Sequence, residues 1–334
     1  MNIRLGKSAL AVSAAAMLLS GAAMAQEKPF NVYVGYSAGG GYDVYARVLA
    51  RYINKHLPGN PNVIVNNMPG AGSMRLANWL YNVAPKDGNI IGTFARGIAF
   101  DTLLGQPGAQ FDATKFTWIG SANDEVSVCV SWHTSGITSF DQVLQRELVV
   151  GGTGGSADTD QFPKVFNSVL GAKMRIVAGY PGGNDINLAM ERGEVAGRCG
   201  WSWSSVVSTQ AGWLKEKKIN VLVQLSLDKH PDLPNVPIIT DFAKDDITRG
   251  VFKLVFARQV MGRPFAAPPG IPAARVAVLR KAFTDTLQDK ELLAEAEKLQ
   301  LEITPVSGET VQKLVEEAYS MPPEVVKRTI EALR

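Results

Sequence analysis

The sequence of 334 residues predicts an α/β fold of two domains with a cleft between them. Short apolar runs that are typical of buried strands alternate with amphipathic helical patterns along most of the chain. Glycine-rich turns follow several of these strands, and each turn leads directly into a helical pattern. The same succession recurs in both halves of the chain, which favours two domains joined by crossing strands over a single sheet.

Two glycine-rich turns near the start of the chain are its most informative local feature. The first turn, 35–43, follows the strand predicted over 30–34, and the second, 66–73, follows the strand predicted over 63–65. A strand that ends in glycines and continues as a helix directs unpaired backbone N–H groups and the positive end of the helix dipole to one point. On neighbouring parallel strands, both turns would open toward one crevice. This geometry favours binding of an anion, most simply a carboxylate.

The other predicted elements define the domain organisation. Further helices are expected over 44–56, 76–83, 159–170, 274–288, 290–299 and 309–319, and further strands over 90–94, 116–120, 126–132, 148–151, 175–177, 195–199 and 220–225. We expect the chain to enter the second domain before the strand over 126–132 and to return with the strand over 220–225. The first domain would then comprise 26–124 and 221–334, and the second 125–220.

The first 25 residues have the pattern of a cleaved export signal. Arg4 and Lys7 precede an apolar stretch over 9–19, and Ala23-Met24-Ala25 forms a small-residue cleavage site. The apolar stretch is too short for a comfortable membrane span. A signal peptide over 1–25, cleaved after about Ala25, predicts an exported protein in the periplasm of a Gram-negative cell.

Charge and cysteine content restrict the partners and the chemistry. The formal charge is +3, and the loss of Arg4 and Lys7 with the leader lowers it to +1. A nearly neutral chain argues against nucleic acid or an anionic membrane surface as the main partner. The only two cysteines, Cys129 and Cys199, allow one disulfide in an oxidising compartment, and two buried thiols are the alternative.

The pattern Gly35-x-Ser37-x-Gly39 matches the nucleophile elbow of serine hydrolases. This serine lies in the first turn of the chain, whereas esterase-like chains place it after several strands, and an HGGG-type oxyanion segment is missing. The three histidines offer no well-placed base: His56, His133 and His230. Dinucleotide, Walker and metal-ligand patterns are absent from the sequence. We therefore expect no catalytic residue, metal or cofactor, with a secreted serine hydrolase using Ser37 as an alternative.

Several side chains near the turns are candidates for ligand contact. Asp43 lies in the first turn of its helix, where a capping role is favoured over ligand contact. Arg96 follows a buried strand on the side where the turns open, and it could bind a carboxylate through two hydrogen bonds or form a surface ion pair. Trp201 could stack on a planar ligand or pack in the core. The sequence does not determine whether Arg198 and Trp203 face the cleft.

The order of the motifs along the chain matches a known family. After the leader come the G-G-G-x-D turn over 39–43, Asn67-x-Pro69-Gly70-Ala71-Gly72, Ala84-Pro85-x-Asp87-Gly88, Tyr180-x-Gly182-Gly183, Gly193-Glu194-Val195 and Pro231-x-Leu233-Pro234-x-Val236-Pro237. This order resembles the extracytoplasmic solute receptors of tripartite tricarboxylate transporters, the Bug (TctC-like) family. The resemblance covers essentially the whole chain after the leader.

The resemblance implies a two-domain periplasmic-binding-protein fold, type II-like, that closes on its ligand. It implies a receptor, expected to act as a monomer, that binds a small organic carboxylate and delivers it to membrane transporter subunits. A ligand sensor for a signalling partner would have the same fold and is a second alternative. The family's ligand contacts, carried onto this sequence, are Tyr36, Ser37, Gly40, Asp43, Ala71, Gly72, Thr153, Gly154, Ser156, Tyr180 and Gly183. Arg96 and Trp201 complete the predicted site as additions of this chain.

The chain also departs from the family pattern in ways that concern the ligand. Met68 stands where arginine or lysine is common, and Ala196 stands where aspartate is frequent. The missing aspartate argues against a ligand that carries an amino group.

Overall fold

The computed structural model describes residues 28–334, and the predicted signal peptide lies outside the described residues. The strands are β1 (Phe30–Val34), β2 (Val63–Asn67), β3 (Ile90–Thr93), β4 (Thr117–Ser121), β5 (Ser127–Trp132), β6 (Leu148–Gly151), β7 (Met174–Val177), β8 (Gly197–Ser202), β9 (Ile219–Leu225), β10 (Pro264–Ala267) and β11 (Val306–Ser307). The helices are α1 (Gly41–Tyr52), α2 (Met74–Asn82), α3 (Ile98–Asp101), α4 (Phe140–Gln145), α5 (Asp158–Leu170), α6 (Gly183–Glu191), α7 (Trp203–Lys215), α8 (Asp246–Ala257), α9 (Ala273–Leu287), α10 (Lys290–Lys298), α11 (Gly308–Tyr319) and α12 (Pro323–Leu333).

The first sheet has the strand order β11-β4-β10-β3-β1-β2. Strand β1 runs parallel to both β2 and β3, whereas β10 and β11 run antiparallel to their neighbours. Because β1, β2 and β3 run in the same direction, their carboxyl ends reach one edge of the sheet. The two glycine-rich turns of the amino-terminal region, and the segment that carries Arg96, leave the sheet at this edge.

The second sheet has the strand order β7-β6-β8-β5-β9, with β6 parallel to β7 and β8 and β5 antiparallel to β8 and β9. We call the elements on the first sheet the first lobe and those on the second sheet the second lobe. Backbone hydrogen bonds join the two carboxyl edges, from Gly72 N–H to the Thr153 carbonyl and from Ser37 N–H to the Pro181 carbonyl. The predicted α/β fold of two lobes with facing turns is confirmed.

One strand lies in a different sheet from the one predicted. The strand expected over 220–225 to return to the first domain is β9, and it pairs with β5 of the second sheet from Trp132 opposite Ile219 to Ser127 opposite Leu225. That expectation was wrong because apolar patterning identifies a strand without identifying its partner. The carboxyl-terminal helix α12 likewise packs on α5 of the second lobe as well as on α8. The domain division at 124/125 and 220/221 stays a prediction.

An apolar core joins the second lobe to the carboxyl-terminal helices. Phe162 and Phe166 of α5 pack edge-on against Phe256 and Phe252 of α8, with ring centroids 5.1 and 6.1 Å apart. All four rings are fully buried. Such edge-to-face contacts add to the free energy gained by burying apolar surface. This core fixes the amino end of α5 at the cleft.

Cys129 of β5 and Cys199 of β8 lie directly opposite each other and form a disulfide. Both residues are fully buried. Of the two alternatives that the sequence left open, the structure has the bridge. It ties together two neighbouring strands of the second sheet.

Removal of this bridge is expected to destabilise the protein. We expect the Cys129→Ala/Cys199→Ala double variant to lose about 4 kcal/mol of unfolding free energy, because the bridge spans 70 residues and restricts the unfolded chain. Denaturant titration of both proteins measures this difference. A thiol reductant should shift the wild-type midpoint toward that of the variant and leave the variant's midpoint unchanged. The prediction would be contradicted if the double variant had the midpoint of wild type and the reductant left the wild-type midpoint unchanged.

Candidate ligand-binding site

A cavity of about 140 Å³ lies between the two lobes, where the carboxyl ends of their parallel strands face each other. Three arginines reach its wall: Arg96 after β3, Arg198 in β8 and Arg263 before β10. The amino ends of α1, α5, α6 and α7 also reach the wall. Helix amino ends and guanidinium groups both favour negative charge, so the cavity is suited to an anion.

Arg96 is buried, with hydrogen bonds from its two terminal nitrogen atoms and an ion pair at its Nε. Its Nε lies 3.1 Å from Asp158 Oδ2 at the start of α5. Its Nη1 donates to Gln259 over 2.6 Å, and its Nη2 donates to Ser202 over 2.5 Å. The side chain therefore joins the first lobe to α5 and β8 of the second lobe. It is a buried ion pair between lobes, not the surface ion pair that was one of the two predicted alternatives.

Arg263 is equally enclosed. Its Nη2 lies 3.4 Å from Glu125 Oε2 and donates to Ser205 Oγ over 2.6 Å. Its guanidinium carbon lies 4.7 Å from the ring centroid of Tyr42 and 5.0 Å from that of Tyr45. No motif in the sequence marked this residue, because its partners come from distant parts of the chain.

Arg198 differs from the other two arginines because it has no carboxylate partner within residues 28–334. Its Nη1 donates to the Gly183 carbonyl and to Asn187 Oδ1, both over 3.1 Å, and its guanidinium carbon lies 4.4 Å from the Trp201 ring centroid. Its buried Nε has no hydrogen-bond acceptor among these described residues. Burial lowers the pKa of Arg198 to about 9, so the group stays charged at neutral pH. An anion in the cavity would compensate this charge.

Several solved structures share this architecture. The structure of the periplasmic binding protein BugD superposes with a TM-score of 0.73 at 19% identity, over 92% of this chain and 98% of BugD. MatC from Rhodopseudomonas palustris, with bound malate, superposes with a TM-score of 0.71 at 17% identity, over 92% of this chain and 99% of MatC. A second R. palustris protein, solved with adipate, superposes with a TM-score of 0.70 at 18% identity, over 90% of this chain and 97% of that protein. The chain has a Bug-type periplasmic-binding-protein fold.

Two curated relatives are similar in sequence, both described as UPF0065 proteins. One, from Pseudomonas sp. strain P51, is encoded in a tcbD–tcbE intergenic region and is 27% identical over 222 residues, which is 65% of this chain and 63% of the relative. The other, from a gbd 5′ region of Cupriavidus necator, is 44% identical over 59 residues, or 18% and 17% of the two chains. The chain thus matches less than two thirds of the length of either relative. No family model matches it.

Within this Bug-type fold, part of the predicted site lies at the cavity. Its wall includes six of the predicted residues: Tyr36, Gly40, Arg96, Thr153, Gly183 and Trp201. Burial raises the pKa of the Tyr36 phenol, with a further contribution from Tyr42, so its hydroxyl stays neutral and can donate a hydrogen bond. Trp203 begins α7 outside the cavity wall, and its Nε1 donates to Asp232 over 3.4 Å. Ligand contact by the six residues stays a prediction.

The other predicted residues lie outside the cavity wall: Ser37, Asp43, Ala71, Gly72, Gly154, Ser156 and Tyr180. Three of them form a close backbone contact between the lobes. A Cβ atom on Gly72 would lie 2.7 Å from the Gly154 carbonyl oxygen and from the Ala157 nitrogen. A Cβ atom on Gly154 would lie 2.5 Å from the Ala71 carbonyl carbon. In this arrangement these turns contact each other, which leaves no space for a ligand between them.

Ser37 also spans the cleft. Its Oγ donates to Asp185 Oδ2 over 2.6 Å and to Asn184 Oδ1 over 3.1 Å, both in α6 of the second lobe. Within residues 28–334 no histidine is hydrogen-bonded to Ser37. The Ser-His pair of a serine hydrolase is thus not found at Ser37 among the described residues.

Asp43 and Tyr180, which lie outside the cavity wall, contact other groups of the protein. Asp43 accepts hydrogen bonds from the Gly39 N–H, Arg47 Nε and Asn67 Nδ2 over 2.8 to 2.9 Å. Burial would raise the pKa of the Asp43 carboxyl, but the hydrogen bonds from Arg47, Gly39 and Asn67 outweigh it and hold the pKa below its usual value. The carboxylate thus stabilises the first glycine-rich turn. Tyr180 packs against the apolar cluster of the second lobe.

A group of buried charges lies behind the cavity. Arg258 Nε is 3.3 Å from Asp158 Oδ1, and Arg258 Nη1 donates to Gln161. Gln161 Nε2 in turn donates to Asp101 Oδ1 over 3.1 Å. Burial raises the pKa of the Asp101 carboxyl to about 7, and the charge of Arg258 opposes this rise only in part. Within the described chain, no group of side chains that could hold a metal ion is found, and no helix is long and apolar enough to cross a membrane.

The raised pKa of Asp101 predicts a pH dependence of stability. The folded state binds this proton more tightly than the unfolded state, so the contribution of Asp101 is greatest below pH 4 and is lost as pH rises to about 7. In that interval the loss is at most about 1.4 kcal/mol per pH unit. We expect Asp101→Asn to remove this pH dependence. The unfolding free energy of the variant, relative to that of wild type, should therefore be higher at pH 8 than at pH 5.

Denaturant titrations at both pH values measure this difference. Asp228→Asn, at an exposed position, is the matched control and should follow wild type. A constant difference between Asp101→Asn and wild type at the two pH values would show that Asp101 does not titrate in this way.

Proposed function

We propose that this protein is a periplasmic solute receptor that binds a small organic carboxylate and delivers it to membrane transporter subunits. The observation that carries this proposal is Arg198. Its guanidinium group lies at a cavity between two lobes without a carboxylate partner among residues 28–334. Arg198 is partly buried. An uncompensated charge withdrawn from water is costly, and a bound carboxylate would offset that cost with bidentate geometry.

Further observations support the carboxylate as ligand. Four helix amino ends meet at the cavity, and each favours an anion by its dipole. Two proteins with the same fold were solved with malate and adipate. Both are carboxylates. The export signal predicted from the sequence agrees with a periplasmic location.

The contacts between the lobes suggest how binding and closure are coupled. Ser37 with Asp185, Gly72 with Thr153, and Arg96 with Asp158 all link one lobe to the other around the cavity. A ligand that touches both lobes would favour the arrangement in which these links are made. The closed protein would then be the form that a membrane partner recognises.

A thermal-shift screen of the mature protein against aliphatic, hydroxy and aromatic acids tests the binding function. We expect at least one small carboxylate to raise the midpoint of unfolding, and isothermal titration to give its affinity. Uncharged amides of the same acids serve as controls and should have no effect. If no carboxylate shifts the midpoint, or if the amides act equally well, the proposed ligand class is wrong.

Uptake measurements test delivery and location. Cells that lack the receptor should lose uptake of the identified acid and regain it with wild-type protein, which should be found in the periplasmic fraction. Normal uptake in the deletion strain, together with loss of an acid-induced transcriptional response, would favour the signalling alternative. Light scattering of the purified protein tests the expected monomer.

A further inference from the structure

We infer that the ligand of this site is a small monocarboxylate whose remaining part is uncharged, with its single carboxylate bound by Arg198. This inference rests on the proposed receptor function and specifies its ligand class. It follows from the charges around the cavity, the neutral groups of its wall and its volume.

The cavity offers one cation for a ligand. Arg96 and Arg263 also reach the wall, but each already has a carboxylate partner, Asp158 at 3.1 Å and Glu125 at 3.4 Å respectively. Arg198 is the cavity arginine without such a partner in the described part of the chain. A second ligand carboxylate would therefore have to enter the cavity without a free counter-charge, which is costly in a buried site.

The rest of the cavity wall suits an uncharged body. It includes the neutral side chains of Tyr36, Thr153, Asn187, Thr209 and Gln210. Among residues 28–334, Asp158 is the one acidic residue in the wall, and its two oxygens lie against Arg96 and Arg258. A ligand ammonium group therefore finds no free carboxylate in the described wall. A volume of about 140 Å³ is close to that of a cavity that holds benzene. It corresponds to roughly six to nine non-hydrogen atoms.

Matched pairs of acids test this inference directly. Isothermal titration would compare butanoate with succinate and lactate with malate. Within each pair we expect the monocarboxylate to bind about 100-fold more tightly, because the second carboxylate of its partner has no counter-charge. If the dicarboxylates bind equally or better, the inference is overturned while the receptor function stands. If no acid of either class binds, both fail.

A variant that adds a second cation makes the test independent of ligand shape. We expect Gln210→Lys, at the cavity wall, to reduce the preference for the monocarboxylate in each pair by about tenfold. Gln145→Lys adds the same charge at an exposed position outside the cavity wall and should leave the preference unchanged. An unchanged preference in Gln210→Lys, or an equal change in both variants, would count against local charge compensation as its origin.

Discussion

Replacement of Arg198 with glutamine is expected to weaken carboxylate binding by about 100-fold or more, because removal of one member of a buried charge pair costs about 2–5 kcal/mol. The variant should remain folded. Arg198 has no carboxylate partner within residues 28–334, so its removal leaves no protein charge uncompensated. Glutamine still offers a side-chain amide to the Gly183 carbonyl and to Asn187. Isothermal titration with the tightest acid from the thermal-shift screen measures the loss.

Two further variants separate the role of this guanidinium from a general charge effect. Arg175→Gln removes an exposed arginine of the same lobe, which is paired with Glu147. The affinity of this variant for the acid should equal that of wild type. Arg198→Lys keeps the charge but loses the planar fork of donors, so its affinity should lie between those of wild type and Arg198→Gln. Wild-type affinity in Arg198→Gln would show that the carboxylate is bound elsewhere.

Gly72→Ala is expected to block the closed arrangement and to lower ligand affinity by about 100-fold. A Cβ atom at this position would lie 2.7 Å from backbone atoms of Gly154 and Ala157 in the opposite lobe, and backbone atoms cannot rotate away. The lobes would have to separate to accommodate it. Ligand contacts shared between both lobes would then be lost, although each lobe keeps its own core.

The control for this substitution is Gly171→Ala. Gly72 and Gly171 have nearly the same backbone angle, with φ of +66° and +70°, so alanine introduces similar backbone strain at both. Around Gly171, however, no atom lies within 4 Å of the added Cβ. We expect both variants to lose similar stability, and Gly72→Ala alone to lose affinity. Small-angle scattering with saturating ligand should show a larger radius of gyration for Gly72→Ala, and equal radii and affinities for the two variants would refute the role of this contact.

Much of the fold was accessible from local sequence patterns. The predicted strands over 30–34 and 148–151 coincide with β1 and β6, and the predicted helix over 159–170 is α5 within one residue. These elements combine apolar periodicity with glycine-rich turns, which are both local signals. Helices α8 and α12 were missed, although each has an apolar face on one side.

The candidate site was predictable only in part. Gly40, Thr153 and Gly183 lie at the cavity because the carboxyl ends of parallel strands and the amino ends of helices meet there, a geometric consequence of the predicted alternation. The resemblance to the receptor family implied ligand contacts at Gly72 and Gly154, but in this structure these glycines permit a close approach of the two lobes. A glycine-rich turn has the same sequence signature in either role.

The sequence by itself determined the alternation of strands and helices, the glycine-rich turns and the resemblance to a receptor family, because these depend on residues close together in the chain. The tertiary structure decided which charges are compensated. Arg96 and Asp158 are far apart in sequence but only 3.1 Å apart in space, whereas Arg198 has no carboxylate partner within residues 28–334. Coulomb energy depends on distance and burial, which local sequence does not contain.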